Sequence, residues 1–134
     1  MSQQKTVRFM DLENASNPQN GKSFADPREL ERLLESLQNR TPFIIKLESD
    51  AGYKLTLGLG PDAAFAQHSP LNGYPPYLVA LGDGSISETH VFLISGTPTE
   101  IEGKHCLSFE MLKQICQHFI ETGNPFPNVE WEEI

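Results

Sequence analysis

The chain has 134 residues, with 18 Asp or Glu against 10 Lys or Arg, so its formal net charge at pH 7 is −8. An acidic chain lacks the basic face that binds phosphates, and we expect no nucleic-acid ligand. No apolar run is long enough for a membrane span, and the N-terminus has no apolar core typical of a signal peptide. We therefore expect one cytoplasmic domain over residues 1–134, with no membrane association.

The first 25 residues predict a partly irregular segment. Val7 and Phe9 alternate with polar neighbours, which predicts a short strand over residues 3–9. The following segment, residues 13–23, is polar and rich in Asn, Gly and Ser, so it predicts a loop.

A first helix is predicted over residues 27–39. Asp26 is a suitable N-cap, Pro27 fits the first turn, and Pro42 excludes helical geometry at the residue before it. Leucines at helical spacing give the helix one apolar side, and they are Leu30, Leu33, Leu34 and Leu37.

From residue 43 the apolar residues recur with a period of two. Residues 43–48 and 53–60 predict the two strands of a hairpin, because a turn signal, Ser-Asp-Ala-Gly, separates them. Further elements are predicted at 63–67 (a strand or a short helical turn), 77–81 and 90–94, and Gly96-Thr97-Pro98 is expected to end the last of these.

A second helix and a last strand complete the chain. Ser108 is the predicted N-cap of a helix over residues 109–121, and Gly123 is its predicted left-handed C-terminal residue. Residues 129–132 alternate, so that Trp131 is predicted to face the core and the glutamates beside it to face solvent.

These elements predict an α+β fold, in which two main helices pack on one face of a mostly antiparallel sheet. The opposite face of such a sheet could stay solvated.

Four stretches carry a family resemblance: HFIETGNPFPNVEWEE (118–133), GYKLTLGLG (52–60), PPYLVALGDG (75–84) and HVFLISGTPTEI (90–101). Together they resemble the first-numbered immunity-protein family of bacterial polymorphic toxin systems, over roughly residues 43 to 134. Members of that family neutralise the toxins encoded beside them, which are often nucleic-acid deaminases. The resemblance implies a protein that binds and neutralises a cognate toxin and is not itself an enzyme.

A toxin domain that reads nucleic acid is expected to be basic, and an acidic surface complements it. The candidate partner-binding residues are therefore acidic, with one tyrosine as a possible aromatic anchor: Glu48, Asp50, Tyr77, Asp83, Glu88, Glu130, Glu132 and Glu133. The acidic charge is also explained by solubility alone, and charges on the last strand by protection of a sheet edge.

Two other functions remain open at this stage. The chain fits a regulatory or scaffold module that binds some other protein. It also fits a small hydrolase, for which the deciding feature is a deep pocket with convergent His, Cys or carboxylate groups.

Neither a cofactor nor a metal is expected. Residues 58–63 match the glycine pattern of a dinucleotide site, but they lack the βαβ unit that gives the pattern its meaning. A zinc site is conceivable from His105, Cys106, Cys116 and His118. However, Cys116 lies on the apolar side of the second helix, where a free cysteine is typically a small core residue.

Overall fold

A computed structural model of the protein describes residues 6–134. Within this range there are two α-helices, α1 (Pro27–Leu37) and α2 (Phe109–Thr122), and a short 3₁₀ helix at Gly103–His105. The nine strands of the same range are β1 (Val7–Asp11), β2 (Ser23–Phe24), β3 (Phe43–Ser49), β4 (Tyr53–Leu59), β5 (Phe65–Pro70), β6 (Leu78–Ala80), β7 (His90–Ile94), β8 (Thr97–Ile101) and β9 (Trp131–Glu133).

The sheet runs in the order β2-β1-β3-β4-β5-β6-β9, and each pairing along this path is antiparallel. It forks at β3, because β1 pairs with the later part of that strand, whereas β7 lies parallel to its beginning through Phe43 and Leu93. β8 extends the branch by pairing with β7. The fold is α+β with a mostly antiparallel sheet, so the predicted fold class is confirmed.

α1 begins as predicted and ends slightly early. The Asp26 carboxylate accepts the amide hydrogen of Arg28 at 2.9 Å, and Pro27 opens the helix. The helix ends at Leu37 rather than at residue 39, because the chain already turns over residues 38–42 to enter β3.

α2 has both of its predicted caps. Ser108 Oγ accepts the amide hydrogen of Met111 at 3.1 Å, and Gly123 follows the last turn with a φ of 77°. A side chain at Gly123 would be strained by this φ, and its Cβ would also lie 2.7 Å from that of Ala51. The end of α2 therefore lies directly against the turn between β3 and β4.

Both helices pack on one face of the sheet, as predicted. Their apolar sides and the inward residues of β1, β3 and β4 form the main core, which includes Val7, Phe9, Leu30, Leu34, Phe43, Ile45, Leu47, Leu55, Leu57, Leu59, Leu112, Ile115, Cys116, Phe119 and Ile120. Burial of one such large side chain stabilises the fold by roughly 1.5 to 3 kcal/mol, so this core supplies most of the driving force.

The opposite face is only partly solvated, and the prediction for it is wrong in part. The branch formed by β7 and β8 lies over this face and builds a second core with Ile44, Ala63, Phe65, Val79, Phe92 and Cys106. The reason is visible in β3, where Phe43, Ile44 and Ile45 are consecutive apolar residues. Such a run gives a strand two apolar faces, and each requires a cover.

The prediction that the strand over 90–94 simply ends at Gly96 misses a hairpin. Ser95 and Gly96 form a tight turn, with φ values of 48° and 79°. The chain then continues as β8, in which Pro98 lies opposite Leu93. A proline is tolerated there because β8 lies at the outer side of the branch.

Other differences are smaller. The segment predicted at 63–67 as a strand or helical turn is the strand β5, which lies between β4 and β6. The last strand begins at Trp131 rather than at residue 129, and the short β2 and the 3₁₀ helix had no sequence signal. Of the first predicted strand, residues 3–5 lie outside the described range.

The loop after β1 is irregular but well bonded. Its centre is the Asp11 carboxylate, which is fully buried and forms an ion pair with Arg40 at 2.8 Å. The carboxylate also accepts hydrogen bonds from the amides of Glu13 and Asn14 and from the Asn17 side chain. Burial alone would raise the pKa of Asp11, but these bonds lower it overall.

Candidate protein-binding surface

The candidate partner-binding residues fall into two regions. Six of them belong to β9, to the residues just before β6 and β9, or to the loop after β6, and these are Tyr77, Asp83, Glu88, Glu130, Glu132 and Glu133. Glu48 and Asp50 belong to β3 and the turn after it, with β4 and β5 between them and β6. The sheet therefore does not gather all eight into one site.

We call Asp83, Glu130, Glu132 and Glu133 the acidic edge. It exists because the chain returns from α2 to pair with β6, where Glu132 lies opposite Val79. The amide of Leu81 donates to the carbonyl of Glu130 at 2.8 Å, which extends this pairing by one residue. Since β9 is the last strand on its side of the sheet path, its side chains lie at an edge.

Glu132 is not a free, solvated charge as the alternation predicted. Its Oε1 atom lies 2.9 Å from His105 Nε2 and 3.4 Å from Lys104 Nζ. The hydrogen bond from His105 lowers the pKa of Glu132, and Lys104 acts in the same direction. The 3₁₀ helix thus neutralises the middle of the acidic edge, a feature the sequence analysis did not predict.

The other carboxylates of the acidic edge are available to a partner. Glu130 and Glu133 are exposed and form no ion pair with any residue between 6 and 134. Asp83 is also exposed, and hydrogen bonds from Ser85 lower its pKa, so it stays ionised at neutral pH. Glu88 is exposed as well, next to Ser87, whose backbone packs against Gly103.

The second region is less uniform. Glu48 Oε2 lies 3.5 Å from Lys46 Nζ, so its charge is already partly compensated within β3. Asp50 is exposed in the turn between β3 and β4. The same turn contacts the loop after β5, because the carbonyl of Gly52 accepts the amide hydrogen of Leu71 at 3.0 Å.

Tyr77 is half-buried, and it belongs to a loop whose importance the sequence analysis missed. Its hydroxyl donates to the carbonyl of Gly73 across the loop. The residues that protrude are its neighbours, since Leu71 is 39% exposed and Tyr74 is 71% exposed. The available sequence signal was Tyr74-Pro75-Pro76-Tyr77, two aromatic residues flanking two prolines in a loop.

Trp131 lies on the helix side of the sheet and packs against the main core, as predicted, although it is only partly buried. Its Nε1 atom donates to the carbonyl of Phe126 at 2.9 Å. Its ring also lies edge-on to His68, with 6.4 Å between the centroids. This environment indicates a structural role for Trp131 rather than contact with a partner.

The four residues considered for zinc are not brought together. Cys116 lies in the main core and Cys106 in the second core, and the sheet separates these two cores. His118 lies 5.6 Å from the ring of Phe126, and His105 bonds to Glu132. Among the described residues, no group of three His, Cys, Asp or Glu side chains is arranged to hold a metal ion.

The His105–Glu132 pair resembles the base and its orienting carboxylate in hydrolases, but among residues 6–134 no Ser, Thr or Cys side chain forms a hydrogen bond with the His105 ring. Cys106 is next in the chain, yet its Sγ atom points to the carbonyls of Ile101 and Glu102. Burial raises the pKa of the Cys106 thiol, which disfavours the reactive thiolate.

Two of the open depressions on the surface are lined by charged side chains. One of about 350 Å³ is lined by Asp26, Pro27, Arg28, Glu31, Gln117 and Glu121. The other, of about 260 Å³, is lined by Gln19, Lys22, Phe24, Glu29, Arg32 and Leu33. Neither contains a cysteine or a histidine, and of the three carboxylates in the first, Asp26 caps α1 and Glu31 pairs with Lys113. A third depression, of about 210 Å³, contains His118 and Glu121 but no cysteine or serine, and its other lining residues are Gln114, Gln117 and Phe126.

The glycine pattern at residues 58–63 has a packing explanation. A Cβ atom at Gly58 would lie 2.9 Å from the ring of Phe92, and one at Gly60 would lie 3.0 Å from Pro42. The glycines therefore let β7 approach β4 closely. The segment ends an antiparallel strand and does not open a helix after a parallel one, as a dinucleotide site requires.

No protein-family model matches this chain, and no curated protein matches its sequence. Between residues 6 and 134, neither helix combines the length and the apolar character that crossing a bilayer requires.

Proposed function

We propose that this protein is an immunity protein that binds and neutralises a cognate bacterial toxin, one that acts on nucleic acid in the cytoplasm. The observation that carries this proposal is the acidic edge, where Glu130 and Glu133 are exposed in and just before β9, and Asp83 is exposed in the loop that follows the paired strand β6. The family resemblance of residues 43–134 points to the same function.

The chemistry of the edge suits a basic partner. A toxin that cleaves or modifies nucleic acid needs cationic side chains to hold phosphates, and carboxylates can occupy the positions of these phosphates. Glu132 and Glu133 belong to the paired strand β9, and Glu130 directly precedes it, with its carbonyl bonded to the amide of Leu81. Inhibition then requires only that the bound protein covers the toxin's nucleic-acid site.

The test is co-expression. The toxin domain encoded next to this chain's gene is placed under an inducible promoter in a toxin-sensitive host, with or without this protein. We expect survival only when both are expressed, and co-purification of the two proteins at equal stoichiometry. A catalytically inactivated toxin domain serves as the control for toxicity itself.

Two outcomes would contradict the proposal. If no toxin is encoded nearby and the protein instead binds an unrelated product of its operon, it is a regulatory or scaffold module. If the toxin kills equally well in the presence of this protein, at verified expression of both, the proposed neutralisation is wrong.

A further inference from the structure

Exposed apolar side chains are concentrated at one end of the sheet. Among the described residues, the large apolar side chains that count as exposed are Tyr53 (37%), Leu71 (39%), Tyr74 (71%), Val91 (44%) and Ile134 (61%). All except Val91 belong to the end of the sheet where β4 begins, β5 ends and β9 ends. Surface apolar residues that occur singly need no explanation, but a group at one location commonly marks an interaction site.

We call Tyr53, Leu71, Tyr74 and Tyr77 the tyrosine patch. Its members are connected through backbone contacts: Tyr53 lies opposite Pro70 in the sheet, and the next residue, Leu71, donates to the carbonyl of Gly52 at 3.0 Å. The ring of Tyr53 rests on His68, with 4.9 Å between the centroids. The patch is thus supported by the paired strands β4 and β5.

The loop that carries the patch is bonded within itself. The amide of Gly73 donates to the carbonyl of Pro70 at 3.2 Å, and the amide of Tyr74 donates to Asn72 Oδ1 at 2.9 Å. The Tyr77 hydroxyl closes the loop on Gly73. Tyr74 is therefore held out into solvent by a fixed backbone, which reduces the entropy lost when its ring is buried by a partner.

Carboxylates flank the patch on both sides. Asp50 precedes Gly52 in the turn that Leu71 contacts. On the other side, Glu133 lies opposite Leu78, the residue after Tyr77. Apolar and aromatic anchors inside a charged rim are the usual composition of a protein-binding hot spot. The rim is acidic, so the complementary partner surface is basic.

We propose that the tyrosine patch is the energetic centre of the interface with a basic protein domain, and that this domain is the toxin of the proposed function, on which this inference rests. Tyr74 and Leu71 enter a shallow hollow of the partner. Asp50 and Glu133 pair with cationic groups around that hollow. In this assignment Asp50 and the β6–β9 region belong to one interface. The positions of the carboxylates alone had left them as two separate regions.

The test compares the double variant Leu71→Ala/Tyr74→Ala with Val91→Ala, a matched change of an exposed apolar residue outside the patch. The probe is the purified toxin domain encoded by the adjacent gene, inactivated in its own active site. Hot-spot residues typically contribute enough that we expect Kd to rise about 30-fold or more for the double variant. The rise should come from faster dissociation, and Val91→Ala should bind like the wild type.

A second measurement covers the case in which the double variant does not fold. A photo-crosslinking amino acid at position 74 should link to the toxin domain, and the same residue at position 91 should not.

The outcomes separate the two proposals. If the wild type binds the toxin but the double variant binds equally well, the patch assignment is overturned and the proposed function stands. If the wild type does not bind the toxin at all, both are overturned.

Discussion

At the residue scale, the buried titratable side chains of Asp11 and His68 allow the response of stability to mutation and to pH to be tested. Asp11 holds the loop after β1 through an ion pair and three further hydrogen bonds. His68 lies in β5 on the face of the sheet that the helices cover, and its Nε2 atom is 2.8 Å from the carbonyl oxygen of Gly123. Asp11 lies away from the candidate interface, whereas His68 supports the ring of Tyr53, so a variant at His68 is tested for stability and not for binding.

The first prediction concerns Asp11→Ala. Removing one partner of a buried ion pair typically costs roughly 3 to 5 kcal/mol, but a third of the Arg40 side chain is exposed and can be rehydrated. We therefore expect the free energy of unfolding to fall by about 2 to 3 kcal/mol. Urea denaturation measures this change. Asp62→Ala, at an exposed position, is the control and should stay within about 0.5 kcal/mol of the wild type.

The second prediction concerns His68 and pH. Burial lowers the pKa of His68, so the folded state favours the neutral ring. Above the unfolded pKa of about 6.5, both states are neutral and the stability is complete. As the pH falls below that value, the unfolded state takes up a proton first, and stability declines until the pH reaches the lowered folded pKa.

The test for His68 compares the wild type with His68→Phe between pH 7.5 and pH 5. The wild type should lose more free energy of unfolding over this range than the variant does, because the variant lacks the buried imidazole at position 68 while both proteins keep the other three histidines. Equal losses in the two proteins would show that His68 does not contribute to acid sensitivity.

At the scale of elements, local sequence patterns predicted the helices and one hairpin. The pairings between strands that are distant in sequence were not predicted. Both helices followed from their caps, and the hairpin of β3 and β4 followed from alternation around a turn. The pairing of β6 with β9 joins segments far apart in sequence, so no local pattern reports it. The hairpin of β7 and β8 was not predicted, because Gly and Pro after a strand are typical both of the end of regular structure and of a turn that leads into an edge strand.

The candidate site likewise contains some features that the sequence predicted and others that depend on tertiary structure. Residue type alone suggested the carboxylates, and those of β9 do lie on one edge. The pairing of Glu132 with Lys104 and its hydrogen bond with His105 depend on tertiary packing and could not be derived from spacing. Exposure of Tyr74 likewise depends on what covers the loop. Apolar residues in a sequence are assigned to a core by default, and the tyrosine patch was missed for that reason.

The third prediction tests the last strand. Trp131→Ala removes a ring that packs on the main core and a hydrogen bond to Phe126. Complete truncation of a buried Trp costs about 3 to 5 kcal/mol, and partial burial places the expected loss near the lower limit, at about 3 kcal/mol. Circular dichroism during chemical denaturation measures it, since the only tryptophan is lost. An unchanged midpoint and slope would assign Trp131 to the surface and make it an interface candidate.

At the scale of the whole molecule, charge is distributed unevenly. The formal net charge is −8, yet Glu132 and Glu48 are already paired with cations of the protein. The negative potential at the acidic edge therefore comes mainly from its unpaired carboxylates, Asp83, Glu130 and Glu133, and it is weaker than a count of four carboxylates indicates. Such a field accelerates encounters with a basic partner, and salt screens it.

The fourth prediction follows from this field. Reversing Glu130 and Glu133 to Lys should slow association with the toxin domain and weaken the salt dependence of the association rate, with little change in melting temperature. Glu132 is left in place, because a lysine there would face Lys104 and His105. Stopped-flow measurements at low and moderate salt give the rates.

The control for this experiment is Glu35→Lys/Glu121→Lys, which changes the net charge equally at exposed positions on the helices. It should slow association less than the edge variant does. If the two variants associate at the same rate, only the net charge matters and the acidic edge has no special role.

The fork at β3 divides the protein into parts that need not open together. The branch of β7 and β8 pairs with β3 through one residue pair, Phe43 and Leu93, and the Leu93 amide donates to the carbonyl of Pro42. Ser95 and Gly96 also bond to Leu12 and Glu13 in the loop after β1. By contrast, β4 is paired along both of its sides. Amide protons of β8 should therefore exchange with deuterium through an opening that leaves the helix-covered core intact, while those of β4 should exchange only when the whole protein unfolds. When amide exchange is measured over a series of denaturant concentrations, the free energies of opening for β8 and for β4 should then follow two separate curves rather than one. The main core and its acidic edge would stay assembled while the second core is transiently uncovered.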